Sequence, residues 1–228
     1  MIRIQGVSKS FGKLRVLSDI SFEVRRGERV ALVGSNGSGK TTLLRALLGL
    51  VRVEGKVSVD GVDVSAHPEL ALKKVAYVPQ VAPPLEAPVA EVVRAVASLR
   101  GIEIPRIEQC ACELGLSLAE LAERRFRDLS GGMKQKFLAA LALAADADLL
   151  ICDEPTANLD SRARERFFEL LDERRPARAL ILCSHRADDV SRLVDRVIEL
   201  DEGRVISDRY THECDHNEEP PSQERVAC

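Results

Sequence analysis

The most informative absences in this sequence are of long apolar runs and of a strong excess of charge of one sign. No run approaches the roughly 18 consecutive apolar residues that a membrane-spanning helix requires. The first residues, from Met1 to Ile4, alternate like a strand and lack the composition of a signal peptide. We therefore expect a cytoplasmic protein that reaches a membrane only through partners.

The net charge of −3 is concentrated at the C-terminal end of the chain. Residues 211–228 contain five acidic side chains and one arginine, which leaves the rest of the chain near neutral, at about +1. A near-neutral body offers no basic surface for nucleic acid. We therefore expect no nucleic-acid partner, and we expect residues 211–228 to form an acidic, disordered tail.

The six cysteines do not have the spacing of a disulfide framework, which indicates a reducing compartment. Cys152 and Cys183 lie within apolar runs, where a reduced thiol packs as a small hydrophobe. In the tail, the histidines and cysteines at 212, 214, 216 and 228 have side chains that suit copper or zinc. Because His-x-Cys-x-His is not a standard zinc pattern, a plain acidic tail is the favoured interpretation.

Hydrophobic periodicity predicts an α/β fold. The segments Ile2–Val7 and Val16–Val24 alternate apolar and polar residues, which is typical of antiparallel strands. The segments Leu149–Cys152 and Ala179–Cys183 are continuously apolar, which is typical of strands buried on both faces of a parallel sheet. We predict a mixed, mainly parallel sheet with helices on both faces, together with an N-terminal antiparallel β subdomain.

The middle of the chain has a helical pattern, which predicts an inserted subdomain. Helical segments are expected near Val89–Arg100, Arg106–Leu114 and Leu118–Arg124. We therefore divide the chain into one domain, residues 1–210, followed by the tail. Residues 1–80 and 146–210 form its core, and residues 81–145 form its helical subdomain. The arginines of this middle region fit a solvated face better than a binding patch.

A glycine-rich loop lies between the short apolar strand Arg29–Val33 and the helical segment Thr41–Leu50. Its sequence is Gly34-Ser35-Asn36-Gly37-Ser38-Gly39-Lys40-Thr41, a full match to G-x-x-x-x-G-K-[ST]. Glycines let the backbone curl so that its N–H groups and the helix N-terminus face phosphate oxygens. Lys40 is predicted to bind the β- and γ-phosphates and the Thr41 hydroxyl to bind Mg²⁺, with Thr42 also near the nucleotide.

Two carboxylates follow the predicted strand Leu149–Cys152. Asp153 and Glu154 would lie at the carboxyl edge of a parallel sheet, where ligands bind. Asp153 suits a Mg²⁺ ion held through water, and Glu154 suits the polarisation of an attacking water. Taken alone, the pair fits a solvated Asp-Glu-Pro turn equally well, and the phosphate-binding loop favours the catalytic interpretation.

At this point the chain resembles the ABC (ATP-binding cassette) ATPase family, over residues 1–206. The run Leu129-Ser130-Gly131-Gly132-Met133-Lys134-Gln135 resembles the family's signature. Further elements match in the family's order: the glutamine loop at Gln80, the D-loop at Ala157-Asn158-Leu159-Asp160, the switch histidine at His185 and the adenine-stacking aromatic at Phe11. The resemblance implies a P-loop NTPase core and a functional ATPase, although Met133 replaces the usual Gln and Phe11 the usual Tyr.

The resemblance also assigns roles. Gln80 would bind Mg²⁺, and His185 would contact the γ-phosphate and hold water near Glu154. Val16 and Asp160 join the nucleotide-contact residues. The alternatives are a core position for Phe11, a capping role for Gln80 and a structural role for His185. Ser130, Gly131 and Gly132 would seal ATP held by a second cassette, in a head-to-tail homodimer or heterodimer; the alternative is an ordinary helix cap by Ser130.

The family implies the ATP-hydrolysing motor of a transporter, peripheral on the inner face of the cell membrane and docked to separate integral-membrane permease subunits. Its cofactors would be ATP and Mg²⁺. The chain, including the run Val78–Gln80 followed by Pro83–Leu85, is most similar to the ATPases of nitrous-oxide-reductase maturation, which serve copper-site assembly. The alternatives are a drug, lipid or haem exporter motor and a non-transport ABC ATPase. A GTPase is disfavoured because no Asn-Lys-x-Asp motif occurs.

Overall fold

Two β-sheets organise the protein in the computed structural model, which describes residues 1–173, 178–184 and 186–211. In chain order the strands are β1 (Ile2–Phe11), β2 (Leu14–Val24), β3 (Arg29–Val33), β4 (Glu54–Val59), β5 (Val62–Asp63), β6 (Val75–Val78), β7 (Leu149–Asp153), β8 (Ala179–Cys183), β9 (Arg196–Asp201) and β10 (Arg204–Tyr210). The smaller sheet is antiparallel, in the order β2-β1-β4-β5. The larger sheet has the order β10-β9-β3-β8-β7-β6, and only β10 runs antiparallel to its neighbour.

The helices follow the strands in an uneven distribution along the chain. They are α1 (Lys40–Leu47), α2 (Pro68–Ala71), α3 (Val89–Arg100), α4 (Ile104–Glu113), α5 (Leu118–Leu121), α6 (Gly131–Ala144), α7 (Ser161–Glu173) and α8 (Ala187–Leu193), with a 3₁₀ turn at Phe126–Asp128. Four of them, α3 to α6, lie between β6 and β7 in the sequence. Thus the helical segments expected after Gln80 are present, and α3 has the predicted bounds.

The antiparallel sheet follows directly from sequence alternation. Ile2 and Ile4 of β1 are buried and pair with Val24 and Phe22 of β2, while the residues between them face solvent. A strand with one apolar face buries that face and leaves the other to water. The two strands predicted here are confirmed, and both extend beyond the predicted segments.

The parallel strands of the larger sheet are buried along their whole length. Every residue of β7 and β8 is buried, as the continuous apolar runs predict. Cys152 and Cys183 are among them, and both are free thiols. Because β3, β7 and β8 are parallel, the residues that follow them lie along one edge of the sheet. This edge positions the chemistry of the protein.

The helical region shares an apolar cluster with the larger sheet, which contributes residues such as Leu150 and Leu180 to it. The rings of Phe126 and Phe137 lie 5.3 Å apart between their centroids, and buried side chains of α3 and α4 belong to the same cluster. On α4, Cys110 is buried and Cys112 is exposed, because helical residues two apart point to different sides. Helix α6 begins at Gly131, within the run that resembles the signature.

Two boundaries differ from the sequence-based expectation. The helix predicted to reach Leu50 ends at Leu47. The apolar pattern fades after Val205, yet β10 continues to Tyr210 because polar pairs hold it, including a bidentate contact from Arg196 to Asp208 with both distances 2.6 Å. The backbone N–H of Thr211, at the start of the predicted tail, donates to the carbonyl of Asp195 at 2.9 Å. The rest of the predicted tail, residues 212–228, lies outside the described residues.

Across the described parts of the chain, no helix combines the length and the apolar character that crossing a bilayer requires.

Candidate active site

The glycine-rich loop joins β3 to α1 and takes a conformation that only glycine adopts easily. Gly34, Gly37 and Gly39 have φ angles of 141°, 85° and 104°. A Cβ atom at Gly34 would overlap the carbonyl oxygen of Leu200, and one at Gly39 would lie 2.8 Å from the Leu17 side chain. The backbone is therefore curled and tightly packed against β2 and β9, as a phosphate-binding loop requires.

Lys40 closes this loop with three hydrogen bonds. Its Nζ atom donates to the carbonyls of Gly34 at 2.8 Å and Ser35 at 2.9 Å, and to Ser38 Oγ at 3.4 Å. The rim of the loop (Ser35, Asn36 and Gly37) is exposed, whereas Ser38 and Gly39 are buried and Lys40, Thr41 and Thr42 are half-buried. The ammonium group thus lies inside the curl, beside backbone that faces solvent.

Asp153 ends β7 as a buried carboxylate that has an open coordination position. It is 2% exposed, and its Oδ2 atom has no hydrogen-bond partner among the described residues. Burial raises the pKa of Asp153, the nearby Thr41 hydroxyl lowers it, and the charge of Glu154 raises it further. A carboxylate oxygen and a hydroxyl are hard ligands of the kind that Mg²⁺ uses, so these residues fit that ion.

Glu154 follows with a backbone conformation that is unusual for a residue with a side chain. Its φ angle is 49°, in the left-handed region, and its N–H donates to the carbonyl of Cys183 at 2.9 Å. Such conformations persist where the surrounding structure over-determines them, and they cluster at functional sites. The half-buried Glu154 side chain therefore starts from a fixed point between the ends of β7 and β8.

Two predicted nucleotide contacts lie on neighbouring strands. The carbonyl oxygen of Val16 would be 2.9 Å from a Cβ at Gly39, so β2 touches the loop. Phe11, at the end of β1, is 52% exposed, with Lys9 Nζ 4.9 Å from its ring centroid. The alternative of a core position for Phe11 is therefore wrong, and its ring face is accessible to a base.

Tyr77 lies on β6, the edge strand beside β7, and Gln80 follows that strand. Gln80 is exposed, two residues beyond β6, and the last residue of β6 pairs with Cys152. Tyr77, which the sequence analysis did not assign to the site, is half-buried. Its pKa is raised to about 12, first by burial and then by the charge of Asp153. The sequence indicates a site role for Tyr77 only through its position on β6, three residues before Gln80.

The signature residues form the start of α6. Ser130 caps the helix, since its Oγ accepts from the Met133 N–H at 3.2 Å. The cap is compatible with either interpretation of the signature, because it leaves Gly131 and Gly132 without side chains. Gly131 is exposed, and a Cβ at Gly132 would lie 2.9 Å from the carbonyl oxygen of Asn158. The absence of side chains at both positions leaves the helix N-terminus open to an anion.

The D-loop, residues 157–160, holds this helix end. Lys136 Nζ lies 2.7 Å from Asp160 Oδ2, and Asp160 also caps α7 by accepting from the Ala163 N–H at 2.8 Å. A cleft of about 300 Å³ beside Ser130 is lined by residues of α5, α6 and Asp160, and none of residues 34–41 lines it. The phosphate loop, Asp153 and Glu154 are thus brought together. The signature residues Gly131 and Gly132 instead lie beside Asn158 of the D-loop. His185 lies outside the described residues.

A curled glycine loop between a parallel strand and a helix, with an acidic pair at the end of a neighbouring strand, defines a P-loop nucleotide-binding protein. The model of the ABC transporter family matches residues 17–157, which is more than half of the chain, and the chain belongs to that family. The protein is the ATP-binding subunit of an ABC transporter and an ABC-type ATPase.

Relatives agree with this assignment. The Nod factor export ATP-binding protein I of Rhizobium sp. (strain N33) is 37% identical over 217 residues, which cover 92% of this chain and 71% of that protein. A solved ATP-binding subunit of an ABC transporter superimposes with a TM-score of 0.82 at 28% identity, over 92% of this chain and 90% of that one. A dimeric bacterial ABC transporter cassette gives 0.81 at 25% identity, over 93% and 99%.

The predicted P-loop cassette fold is therefore confirmed, with its N-terminal antiparallel sheet. These matches do not test the resemblance to nitrous-oxide-reductase maturation ATPases, which stays a prediction.

Proposed function

We propose that two copies of this chain, or this chain and a second cassette, enclose ATP head to tail and hydrolyse it to drive separate membrane subunits. The phosphate loop would bind the triphosphate through its backbone N–H groups and Lys40. Phe11 would stack on adenine, with Val16 beside it. The contacts of Lys40 within the loop, the closeness of Val16 to Gly39 and the exposed ring of Phe11 support these roles.

Thr41, Asp153 and Gln80 would hold Mg²⁺ at the edge of the sheet. When bound, the ion would supply positive charge that stabilises the negative charge developing on the phosphate oxygens. The support is the Thr41 hydroxyl near Asp153, which lowers the pKa of that carboxyl group, together with the unpartnered Oδ2 atom of Asp153. A cation there would satisfy a buried carboxylate that is otherwise costly to desolvate.

Glu154 would orient and polarise the water that attacks the γ-phosphorus. In this step the bond from water oxygen to phosphorus forms, the bond from phosphorus to the β–γ bridging oxygen breaks, and the products are ADP and phosphate. Glu154 would accept a hydrogen bond from the water and ease the loss of its proton. The backbone hydrogen bond from Glu154 to Cys183 supports this role, because it fixes the point from which the Glu154 side chain extends toward the water. His185 is proposed from the resemblance alone.

The single observation that carries the dimer is the position of the signature. Gly131 is exposed and Gly132 packs on Asn158, and the cleft at Ser130 contains no residue of the phosphate loop. An anion-binding helix end with no phosphate loop beside it needs a ligand presented by another subunit. The similar solved cassette that is dimeric supports this arrangement.

The membrane partners would dock on the helical subdomain, residues 81–145, and on the loop at Gln80, with the cassette peripheral on the inner face of the membrane. The division into a core (residues 1–80 and 146–210) and this subdomain is part of the proposal. For the cargo, we propose copper-site maturation of nitrous oxide reductase, from the run Val78–Gln80 followed by Pro83–Leu85. The export proteins among the relatives favour an exporter as the second candidate.

Mixing two inactive variants tests the shared site. Lys40→Ala removes the phosphate-binding charge. Gly131→Asp puts an anion at the signature, where the nearest atoms to a Cβ are 3.8 Å away and a first-turn acid favours the helix. In a head-to-tail pair of one variant with the other, one site combines both defects and the second site is intact.

We expect neither variant alone to form an ATP-dependent dimer, and the mixture to form one with a single nucleotide per pair, measured by sedimentation and nucleotide content. Gly131→Asn is the matched neutral control. A mixture that stays monomeric with ATP, while both chains are folded, would show that the site is not shared between chains.

A further inference from the structure

A buried carboxylate on α8 holds together the loops on either side of Glu154. Asp189 is 0% exposed, and its Oδ2 accepts from Thr156 Oγ1 at 2.7 Å and from Ser184 Oγ at 3.3 Å. Its Oδ1 accepts from Arg164 on α7, through Nε at 3.0 Å and through Nη2. All of these partners donate to a charged acceptor, which makes the hydrogen bonds stronger than neutral ones.

These partners lie on both sides of the Glu154 backbone. Thr156 belongs to the turn in which the Ala157 N–H donates to the Glu154 carbonyl at 3.2 Å. Ser184 follows Cys183, whose carbonyl accepts from the Glu154 N–H at 2.9 Å. The left-handed backbone of Glu154, with φ 49°, is therefore bounded by two segments that share one carboxylate. A conformation of this kind persists only where its surroundings enforce it.

The network is separate from the part of the site that grips the nucleotide. Its four side chains come from the Glu154 loop, β8's end, α7 and α8, and none belongs to the phosphate loop. A change in this network should therefore alter the orientation of the Glu154 side chain without altering the phosphate loop. Ser184 Oγ also accepts from the Arg186 N–H at 3.1 Å, so the Asp189 contact extends to the start of α8.

We propose that Asp189 is a positioning residue for hydrolysis, which holds Thr156 and Ser184 so that the Glu154 carboxylate faces the attacking water. The inference rests on the proposed function, in which Glu154 orients that water. Small misplacements of a catalytic group are costly: a shift of about 1 Å can lower a rate by about 100-fold.

The test compares kcat, KM and ATP affinity for Asp189→Asn and for Thr156→Val, with Thr156→Ser as the conservative variant. Asp188→Asn is the matched control, an exposed neighbour on the same helix. We expect Asp189→Asn and Thr156→Val to lower kcat by about 10- to 100-fold, with KM and ATP affinity unchanged. Thr156→Ser should retain the wild-type kcat, because it keeps the hydroxyl that reaches Asp189.

The double variant Asp189→Asn/Thr156→Val should be no slower than the slower single variant, because both act through one contact. Losses of kcat that multiply, or a Thr156→Val variant with the wild-type kcat, would overturn the proposal. If Asp189→Asn does not fold, the pair Thr156→Val and Thr156→Ser decides alone.

Glu154→Gln, assayed in parallel, separates this inference from the proposed function. Wild-type hydrolysis by Glu154→Gln would remove the proposed function and this inference together. An inactive Glu154→Gln beside a fully active Thr156→Val would remove only the role of Asp189.

Discussion

The phosphate loop and the signature helix end are both built to accept anions, and they differ in what surrounds them. At the loop, Lys40 bonds the backbone of its own curl, and Asp153 and Glu154 lie at the end of β7 nearby. At the signature, Gly131 faces solvent, Lys136 is paired with Asp160, and Lys134 donates to the carbonyl of Arg127 at 2.6 Å. The first region carries charged and acidic groups for chemistry, and the second offers little beyond backbone.

This difference teaches how a site can be divided. A helix end without an acidic side chain can bind a phosphate but cannot activate water. In the proposed function the chemistry therefore belongs to the phosphate-loop side, and the signature of the second subunit completes the site. The D-loop connects the two within one chain, since Asn158 touches Gly132 and Asp160 pairs with Lys136, four and six residues after Glu154.

The largest expected effect tests whether ATP hydrolysis can be lost while the ATP-dependent dimer still forms. Glu154→Gln removes the charge that polarises the water, so we expect hydrolysis to fall by about 10²- to 10⁴-fold, the usual contribution of a general base. ATP binding and the ATP-dependent dimer should remain, as measured by nucleotide affinity and sedimentation. Glu108→Gln, an exposed change on α4, is the control. An ATP-loaded but monomeric Glu154→Gln chain would contradict this division between the phosphate loop and the signature, because dimer formation would then depend on the Glu154 carboxylate.

An intermediate effect tests whether the dimer can be weakened while a single chain still binds ATP normally. Gly131→Asp places a negative charge where a γ-phosphate from the second subunit is expected, and repulsion at about 4 Å should weaken the dimer by roughly tenfold or more. The affinity of the single chain for ATP should stay at the wild-type value, in contrast to Lys40→Ala. Fluorescent-nucleotide titration at low protein concentration measures this. A matching loss of single-chain affinity would mean that one chain contains both halves of its site.

The smallest effect concerns the link between the two regions. The hydrogen bond from Lys136 lowers the pKa of Asp160, and the Ala163 N–H adds to this. A depressed carboxylate pKa adds stability above the unfolded-state pKa, and that stability is lost as the pH falls through the folded-state pKa. Asp160→Asn should therefore lower Tm slightly at neutral pH and not at all in strong acid, with Asp201→Asn as control. A Tm difference that grows with acidity would contradict the ion-pair origin.

Much of the site could be predicted because its elements are local in sequence. The loop from Gly34 to Thr41 and the pair Asp153-Glu154 each follow an apolar strand, and parallel strands bring such positions to one edge. Asp189 could not be found in this way. It lies 33 residues from Thr156 and 25 from Arg164, on a short helix whose residue pattern resembles any solvated surface.

The sequence by itself was enough to predict the α/β class, the strands before the phosphate loop and before Asp153, the glycine loop and the candidate site residues, because periodicity and spacing act over a few residues. Only the tertiary structure decided the left-handed backbone of Glu154, the unpartnered oxygen of Asp153 and the contact of Gly132 with Asn158. Each of these depends on atoms that are distant in the chain or on the packing around them, and burial and sterics at such contacts leave no periodic trace in the sequence.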